Sequence, residues 1–453
     1  MFRSELSRQI SDDCARKRVD RPGRRTHHDN GQTAGEHDTS PYDIARPYDI
    51  ARETVVPEAI GRSLHNECRL VRIRIVLQVL LSVVLIGCAS SPRIPYRAED
   101  AANAEINGFH QIRSNLDAQS DTMAEPPPRA TSSLKTEMNY LVISGGGSGG
   151  AFSAGVLKAW SKTGRRPQFD IVSGVSTGAL IAPYAFLGSS YDDVLVDLYT
   201  SGVAKDLVDV KWLPRGLLGT SLLKQQPLRR LIEIHVTGDV VKAVAAEHRK
   251  GRRLLVLTSN LDSQRAVIWD MGAIANSGEP NSLRLFQDVL MASASIPGIY
   301  PAVLIRAHSG KRIFEEMHSD GGSGSQILTV PESLMTSPKL AKARPEIRLN
   351  MYVLVNNALM PEFSTVTNNT LSVMARAYAV QIKSQTRSAL LASYMYAQRT
   401  GIHFHVASID RQLSYSVLDP FNTEYMRTVF NIGYSEMIAG TLWKDKPVFS
   451  PAN

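Results

Sequence analysis

Cysteine is nearly absent from this sequence of 453 residues, which contains only Cys14, Cys68 and Cys88. Because no cysteine follows Cys88, the later part of the chain can hold neither a disulfide framework nor a cysteine-based zinc site. The 43% hydrophobic content still provides ample material for the core of one large domain or two smaller ones. The composition is therefore that of a globular protein.

Negative charge is also in short supply, since 51 Lys and Arg outnumber 43 Asp and Glu and give a formal net charge of +8. The basic residues are scattered, and no nucleic-acid reader motif accompanies them. We therefore expect no nucleic-acid partner. The excess of positive charge favours contact with an anionic lipid surface. The alternative is a solvated basic face without a partner.

An apolar run at residues 75–86 follows a basic stretch, but it is too short to cross a bilayer as a helix. A basic flank before a short apolar run is typical of a signal peptide. The run ends in Leu85-Ile86-Gly87-Cys88, which resembles the lipobox of bacterial lipoproteins, where the cysteine is acylated and becomes the mature first residue. We therefore predict a signal peptide and lipobox at residues 71–88 with lipid on Cys88; a buried helix ending in Gly-Cys is the alternative.

Residues 1–70 combine low apolar content with mixed charge, and they include a tandem hexamer, Pro41–Arg46 followed by Pro47–Arg52. Such a stretch is not expected to fold on its own. Since a signal peptide belongs near an N-terminus, we expect translation to begin near Val71, and a genuine cytoplasmic extension is the alternative.

The polar stretch at residues 89–137 contains Pro126-Pro127-Pro128, which is typical of a semi-rigid, extended tether. We expect the folded domain to comprise residues 138–453. With lipid on Cys88, this organisation predicts a lipid-anchored protein of the bacterial cell envelope, on the periplasmic side of the outer membrane.

A glycine-rich loop follows the first strand signal of the predicted domain. Residues 139–144 form an apolar strand pattern, residues 145–150 are Gly-Gly-Gly-Ser-Gly-Gly, and residues 151–160 show a helical pattern. Consecutive backbone N–H groups can converge on an anion where side chains are absent, and a helix N-terminus adds positive potential. The loop also fits the dinucleotide fingerprint, which requires an acidic residue after the next strand. Asp170 precedes that strand instead, which disfavours dinucleotide binding.

A G-x-S-x-G motif follows the next apolar strand and precedes a helical pattern at residues 179–187. In this context the motif predicts a nucleophile elbow. Gly174 and Gly178 permit a sharp strand-to-helix turn, which we expect to present the Ser176 hydroxyl at the helix N-terminus. We therefore predict that Ser176 is a nucleophile.

A serine nucleophile needs a base, and the usual order of a catalytic triad would employ His403 or His405. The sequence Ser-Asp-Gly-Gly around Asp320 instead offers a carboxylate at a strand end, where a tight loop lets it approach another backbone. A plain Asp-Gly turn is the alternative. A carboxylate in hydrogen-bond reach of Ser176 can take its proton if burial raises the carboxyl pKa, so that neither a metal nor a cofactor is required.

The order of these three motifs resembles that of the patatin-like phospholipase family. Four further stretches resemble bacterial members of the family, at residues 220–229, 258–262, 267–272 and 292–298. The resemblance covers residues 139–330 well and the remainder loosely. It implies that Ser176 is the nucleophile and that Asp320 is its base. It also implies that oxyanion N–H groups come from Gly145, Gly146 and Gly147.

One position departs from the family pattern, because many members carry Lys or Arg where this sequence has Gly149. A basic side chain there would help to hold a phosphate or the oxyanion. Its absence puts the head-group preference and the rate in doubt, whereas the backbone donors do not depend on it.

The remainder of the chain continues the alternation of strands and helices. The apolar pattern predicts a strand at residues 349–355. It also predicts one or two helices packed on the sheet at Ser372–Gln398 and a closing helix at Tyr425–Gly433. The apolar members of the long helical pattern include Val373, Ala377, Val380, Ala389, Leu390 and Tyr394. Alternation indicates the α/β class, and the resemblance implies a three-layer α/β/α patatin-like fold with a mainly parallel central sheet.

The function expected from these observations is that of a membrane-anchored serine lipid acyl hydrolase of the phospholipase A or lysophospholipase type. Its expected partners are the membrane surface and a phospholipid or other acyl-ester substrate. A carboxylesterase or thioesterase with the same dyad is the first alternative. A non-catalytic lipid-binding lipoprotein is the second, and a dinucleotide-binding protein comes last.

Overall fold

The computed structural model describes residues 74–75, 78, 93–118, 136–207, 221, 223–330, 348–411, 413 and 419–449. The chain divides into two units, Met1–Ala89 and Ser90–Asn453. In the first unit, the three described residues are helical. The predicted extension at residues 1–70 and the predicted lipidation site Cys88 lie outside the described residues.

Strands of the second unit form one mixed sheet. Within the described residues they are β1 (Arg113–Asn115), β2 (Glu137–Ile143), β3 (Ile171–Val175), β4 (Arg253–Asn260), β5 (Arg265–Asp270), β6 (Val303–Ser309), β7 (Arg312–Asp320), β8 (Arg348–Val355) and β9 (His403–Ser408). Their order is β1-β5-β4-β3-β2-β8-β9, with β7 paired to both β4 and β6.

The five neighbouring strands β4, β3, β2, β8 and β9 run parallel. The remaining strands join antiparallel on the β4 side of the sheet. Parallel strands need crossover connections, and helices supply them here between β2 and β3, between β3 and β4, and between β8 and β9. The expected mainly parallel centre is therefore confirmed.

The helices lie between the strands in sequence. In the described part of the chain they are α1 (Ala98–Ala102), α2 (Gly150–Lys162), α3 (Thr177–Leu187), α4 (Asp192–Thr200), α5 (Gln226–His235), α6 (Gly238–Arg249), α7 (Met271–Asn276), α8 (Ser282–Ser293), α9 (Thr370–Thr400) and α10 (Thr423–Ala439). Among these described helices, none has the length and apolar character needed to cross a membrane.

Alternate side chains of β2 show that the sheet is covered on both faces. Leu141 and Ile143 belong to a large core cluster with residues of α2, α3 and α10. Tyr140 and Val142 point to the other face and pack in a second cluster that includes Leu390 of α9. Since strand side chains alternate between faces, two separate clusters require helices on both sides. The predicted three-layer α/β/α fold is confirmed.

The segment at residues 93–118 differs from the extended tether expected there. It contains α1 and β1, and β1 pairs antiparallel with β5. Three of its apolar side chains, Ile106, Phe109 and Ile112, are buried in the large core cluster. Tyr96 also stacks on Phe314 of β7, with ring centroids 4.4 Å apart. A few apolar residues are thus enough to attach a mostly polar stretch to the domain. Residues 119–135 of the predicted tether lie outside the described residues.

A buried charge network joins this N-terminal segment to β7. The Arg113 guanidinium of β1 pairs with the Glu316 carboxylate and lies 5.2 Å above the Trp269 ring. The His318 Nε2 atom lies 3.3 Å from a Glu316 carboxylate oxygen. Burial alone would raise the pKa of Glu316, but the hydrogen bond with His318 and the charge of Arg113 outweigh it and hold the pKa below its ordinary value. Arg113 therefore balances a negative charge on the strand that ends at Asp320.

Replacement of Arg113 by alanine should destabilise the protein, because Glu316 would keep a buried charge without its main partner. We expect the free energy of unfolding of Arg113→Ala to fall by about 3 kcal/mol, as for other broken buried pairs. Urea unfolding at pH 7 measures this change. Arg306→Ala, at an exposed position of β6, is the matched control and should change it by less than about 0.5 kcal/mol. Equal effects of the two changes would mean that the pair of Arg113 and Glu316 adds nothing to stability.

Candidate active site

Strand β4 aligns the ends of two other strands. Val175, at the end of β3, lies opposite Leu257 of β4. Further along the same edge of β4, Asp320 at the end of β7 lies opposite Thr258. Because Leu257 and Thr258 are consecutive, the ends of β3 and β7 meet, and Ser176 follows Val175 directly. The structure therefore brings Ser176 and Asp320 together although they are 144 positions apart in the sequence.

The turn at Ser176 has the backbone geometry of a nucleophile elbow. Ser176 has φ 55° and ψ −122°, a combination that side-chain-bearing residues rarely adopt. A Cβ atom on Gly174 would collide with the carbonyl of Gly178, and one on Gly178 would collide with the carbonyl of Ile143. Both glycines are therefore required by close backbone approach, and they let the chain reverse from β3 into α3.

Ser176 and Asp320 are hydrogen-bonded to each other. The Ser176 hydroxyl donates to Asp320 Oδ2 at 2.6 Å, and Asp320 Oδ1 accepts the Gly322 N–H at 2.7 Å. The Ser176 N–H donates to Ser293 Oγ at 3.0 Å, and the Ser293 hydroxyl in turn donates to the Leu257 carbonyl at 2.7 Å. Each member of the pair is thus held by a further bond, so their contact does not depend on their mutual attraction alone.

Electrostatics at the pair favour proton exchange near neutral pH. Asp320 is buried, with 2% of its surface exposed, and burial raises its pKa to about 7. The hydrogen bonds from Ser176 and Gly322 act in the opposite direction and only limit the rise. A carboxyl group of this pKa is a stronger base than an ordinary aspartate and can also return a proton. The arrangement therefore suits general acid–base chemistry on the Ser176 hydroxyl.

The glycine loop lies beside Ser176, but its three glycines differ in what their N–H groups do. The Gly145 N–H already donates to the Gln326 carbonyl at 3.1 Å. Among the described residues, the N–H groups of Gly146 and Gly147 have no acceptor. Both residues have positive φ, 151° and 54°, which directs the loop away from strand geometry. Gly146 and Gly147 are therefore better candidates for oxyanion donors than Gly145.

Gly149 stands where many patatin-like phospholipases have a basic residue. The space around it is limited by Asn356 at the end of β8. A Cβ atom at position 149 would collide with the Asn356 carbonyl. The buried Asn356 side chain also accepts the Ser153 hydroxyl at 2.6 Å and donates to the Ser144 carbonyl at 2.9 Å. Asn356 thus holds the glycine loop from behind, and this backbone leaves no room for a side chain at position 149.

Three residues near the site received no role in the sequence analysis. The Ser293 hydroxyl oxygen accepts a hydrogen bond from the Ser176 N–H, and the backbone carbonyl of Gln326 accepts one from the Gly145 N–H. Tyr378 of α9 hydrogen-bonds Ser323, and burial together with the nearby charge of Asp320 raises its pKa to about 12. The only sequence signal for Ser293 was its place in a stretch that resembles bacterial family members. Gln326 and Tyr378 carried no such signal.

The histidines of the alternative triad lie elsewhere. His403 and His405 belong to β9, which is separated from β3 by β2 and β8. At the usual strand spacing of about 4.8 Å, three steps correspond to roughly 14 Å. His405 instead stacks on Tyr352, with ring centroids 4.8 Å apart. The structure therefore places neither histidine in reach of Ser176.

A mostly apolar cleft lies next to the loop and the elbow. Gly147 of the loop and Thr177, which follows Ser176 directly, are among its lining residues. Its walls include the side chains of Leu180, Tyr184, Leu198, Leu231, Ile232 and Met426. This lining suits a hydrocarbon chain.

The sequence comparison agrees with this geometry. Residues 141–330 match the sequence model described as patatin-like phospholipase, and the match includes the glycine loop, the elbow and Asp320. These residues are thus similar to a patatin-like phospholipase domain. The similarity supports lipid acyl hydrolysis as the general class of activity. No curated protein shows a significant match to the whole sequence.

Solved structures resemble the patatin-like domain and its surroundings only distantly. VipD from Legionella pneumophila is 12% identical, with a TM-score of 0.33, over 68% of this chain and 67% of that one. A chain from the complex of SpcU with ExoU, from the type III secretion system of Pseudomonas aeruginosa, is also 12% identical. Its TM-score is 0.25, and the alignment covers 69% of this chain but only 61% of that one. At these values the likeness carries no argument about activity.

Replacement of Asp320 by asparagine should stabilise the protein above neutral pH. The penalty for ionising the buried carboxyl is absent below its unfolded pKa near 4, grows as pH rises, and is complete above the folded pKa of about 7. We expect Asp320→Asn to raise the free energy of unfolding by roughly 4 kcal/mol at pH 8 and to change it little at pH 4.5. Urea unfolding at both pH values measures the difference.

Asp239→Asn, at a position where the side chain is 92% exposed, is the control for this change. It should leave the stability nearly constant at both pH values. A destabilised Asp320→Asn at pH 8 would mean that the hydrogen bonds of the carboxylate outweigh its desolvation, and that the pKa of Asp320 is not raised.

Proposed function

We propose that this protein is a serine lipid acyl hydrolase of the phospholipase A or lysophospholipase type, with Ser176 and Asp320 as its catalytic dyad. The observation that carries the proposal is the 2.6 Å hydrogen bond from Ser176 Oγ to Asp320 Oδ2 at a strained, buried elbow. The glycine loop next to this pair and the apolar cleft that Gly147 helps to line support lipid as the substrate.

In the proposed mechanism, Asp320 takes the Ser176 proton as Oγ attacks the carbonyl carbon of the ester. Charge develops on the former carbonyl oxygen, and the N–H groups of Gly146 and Gly147 stabilise it. Loss of a single donor of this kind costs about 3 kcal/mol in other serine hydrolases. Asp320 then returns the proton to the leaving alcohol, which leaves an acyl group on Ser176. Water attacks this acyl-enzyme with Asp320 again as the base, and the free acid departs.

The apolar cleft favours a long acyl chain over a small polar ester. Gly147 and Thr177 line the cleft from the loop and the elbow, and Leu198, Ile232 and Met426 contribute to its apolar lining. Burial of each methylene of a substrate chain contributes about 0.8 kcal/mol, so a lined cleft selects for chain length. The same dyad would also cleave simple esters and thioesters, which remain the alternative substrates.

We further propose that lipid on Cys88 anchors the protein at the bacterial cell envelope, on the periplasmic side of the outer membrane. The observation that supports close anchoring is the attachment of residues 93–118 to the domain. Arg93 donates to both carboxylate oxygens of Asp262, at 2.9 and 2.7 Å. Only four residues then separate Cys88 from Arg93, and the five steps from one to the other correspond to at most about 18 Å of extended chain. The domain would therefore remain close to the bilayer surface.

Loss of the Ser176 hydroxyl should abolish ester hydrolysis without loss of fold. We expect Ser176→Ala to lower kcat on p-nitrophenyl esters by at least about a thousandfold, because nucleophile and base act as one unit. His403→Ala, at an exposed position of β9, is the control and should retain activity within about twofold. Hydrolysis rates on short-chain esters, long-chain esters and thioesters measure the substrate preference. The rate on esters should rise with the length of the acyl chain. Substantial hydrolysis by Ser176→Ala would contradict the assignment.

Loss of Cys88 should block both lipidation and removal of the signal peptide. Because the lipobox cysteine is the acylated residue and the mature N-terminus, Cys88→Ser should be unprocessed and should incorporate no labelled fatty acid. Intact-mass analysis and fatty-acid labelling in expressing bacteria measure both effects. Cys68→Ser is the matched control and should be processed like the wild type. If residues 1–70 remain attached to the mature wild-type protein, the lipobox assignment fails.

A further inference from the structure

Helix α9 is longer than the surface that it covers. In its C-terminal half, Thr386, Leu390, Ser393 and Ala397 are buried against the sheet. In its N-terminal half, no described side chain before Thr386 is buried. The sequence pattern had predicted that Val373, Ala377 and Val380 pack on the sheet, and this prediction is wrong because all three are exposed.

The exposed side of α9 forms one continuous stripe. Its members follow at steps of three or four residues, so they lie on a single face of a helix of 3.6 residues per turn. We define the outer stripe as Val373, Ala377, Val380, Ser384, Ser388, Leu391 and Met395. Its larger side chains are strongly exposed: Val373 at 49%, Val380 at 59%, Leu391 at 49% and Met395 at 60%. The stripe contains no charged residue.

The charges on the rest of α9 have one sign. The helix carries four basic residues, Arg376, Lys383, Arg387 and Arg399, and no acidic residue. Lys383 donates to Glu362 in the preceding loop at 2.8 Å, and Arg376 donates to the Glu362 carbonyl. These contacts hold basic side chains beside the stripe. An uncharged apolar stripe flanked by basic residues is the pattern of a helix that lies in the plane of a membrane interface.

Helix α9 is also next to the catalytic dyad. Tyr378 hydrogen-bonds Ser323, and Gln385 Nε2 donates to the Gly324 carbonyl at 2.6 Å. Ser323 and Gly324 follow Asp320 in the same tight loop. The inner side of α9 therefore covers the loop of the catalytic carboxylate, and the outer stripe is one helix diameter away, about 10 Å.

We propose that the outer stripe of α9 binds the surface of an anionic phospholipid bilayer and thereby holds the active site next to its substrate. The choice of lipid as the partner rests on the proposed function. Two further observations favour a bilayer over a second copy of this chain. The flanking charges match an anionic surface. In a symmetric dimer, by contrast, the same basic face would meet itself and repel.

Vesicle binding by the unit Ser90–Asn453 tests the proposal, since this unit contains the whole described core and lacks Cys88. The unit carries Ser176→Ala, so that binding is measured without hydrolysis and does not depend on the assigned chemistry. Sedimentation with phosphatidylglycerol vesicles should show binding that weakens as salt increases. Val373→Glu with Val380→Glu should weaken it at least tenfold. The milder pair Val373→Ser with Val380→Ser should weaken it less, and thermal unfolding checks that both variants fold.

Ile234→Glu is the matched control, because Ile234 on α5 is 57% exposed, close to the 59% of Val380. It should change vesicle binding by less than twofold. Equal losses from Ile234→Glu and the stripe variants, or unchanged binding in all of them, would overturn the proposal. The proposal would also be overturned if the unit were a dimer, the stripe variants made it a monomer, and these variants still bound vesicles. The stripe would then be an interface between copies of this chain.

Discussion

The hydrogen bond between Ser176 and Asp320 is the interaction on which the rest of this site depends. It joins the ends of two strands that are far apart in the sequence, and it exists because both strands pair with the same edge of β4. It places a carboxyl group where water is excluded, which raises the carboxyl pKa into the range where proton transfer at neutral pH is efficient. Position and basicity therefore arise from the same packing.

This arrangement is unfavourable for stability in two ways, and the surrounding structure offsets both. The backbone of Ser176 is strained, and the ionised form of the buried Asp320 carboxyl lacks the hydration that it would have in water. The Ser176 N–H bond to Ser293 and the close approach of Gly178 to β2 fix the strained turn. On the other side, the Arg113 and Glu316 pair joins the N-terminal segment to the strand that ends at Asp320. Residues outside the motifs thus contribute to holding the dyad in place.

Local signals in the sequence indicated the elements around the site and the candidate dyad. The glycine loop, the elbow and the Asp-Gly-Gly turn each need a particular backbone path, and glycine placement indicates such paths directly. The strand and helix patterns around them predicted β2, β3, α2 and α3 within a few residues. The register that places Asp320 opposite Thr258 joins distant parts of the chain, so no local pattern could indicate it.

Three differences between expectation and structure have physical reasons of the same kind. The apolar residues of segment 93–118 are too few to form a periodic pattern, yet Ile106, Phe109 and Ile112 are buried in the core. The periodicity of α9 shows that an apolar face exists but not what it contacts, and half of that face points outward. The Gly145 N–H is used by Gln326, a pairing that depends on tertiary structure. In each case the missing information was the identity of the contact partner.

The rate at which a fluorophosphonate probe labels Ser176, measured against pH, tests the central claim most directly, because labelling requires the serine to be activated by its base. The account predicts that the wild-type rate rises with an apparent pKa of about 7, that of the buried Asp320 carboxyl. In Asp320→Asn the labelling should fall by at least about a hundredfold and lose this dependence on pH. Labelling of Asp320→Asn at the wild-type rate, with the same pH profile, would show that another group is the base.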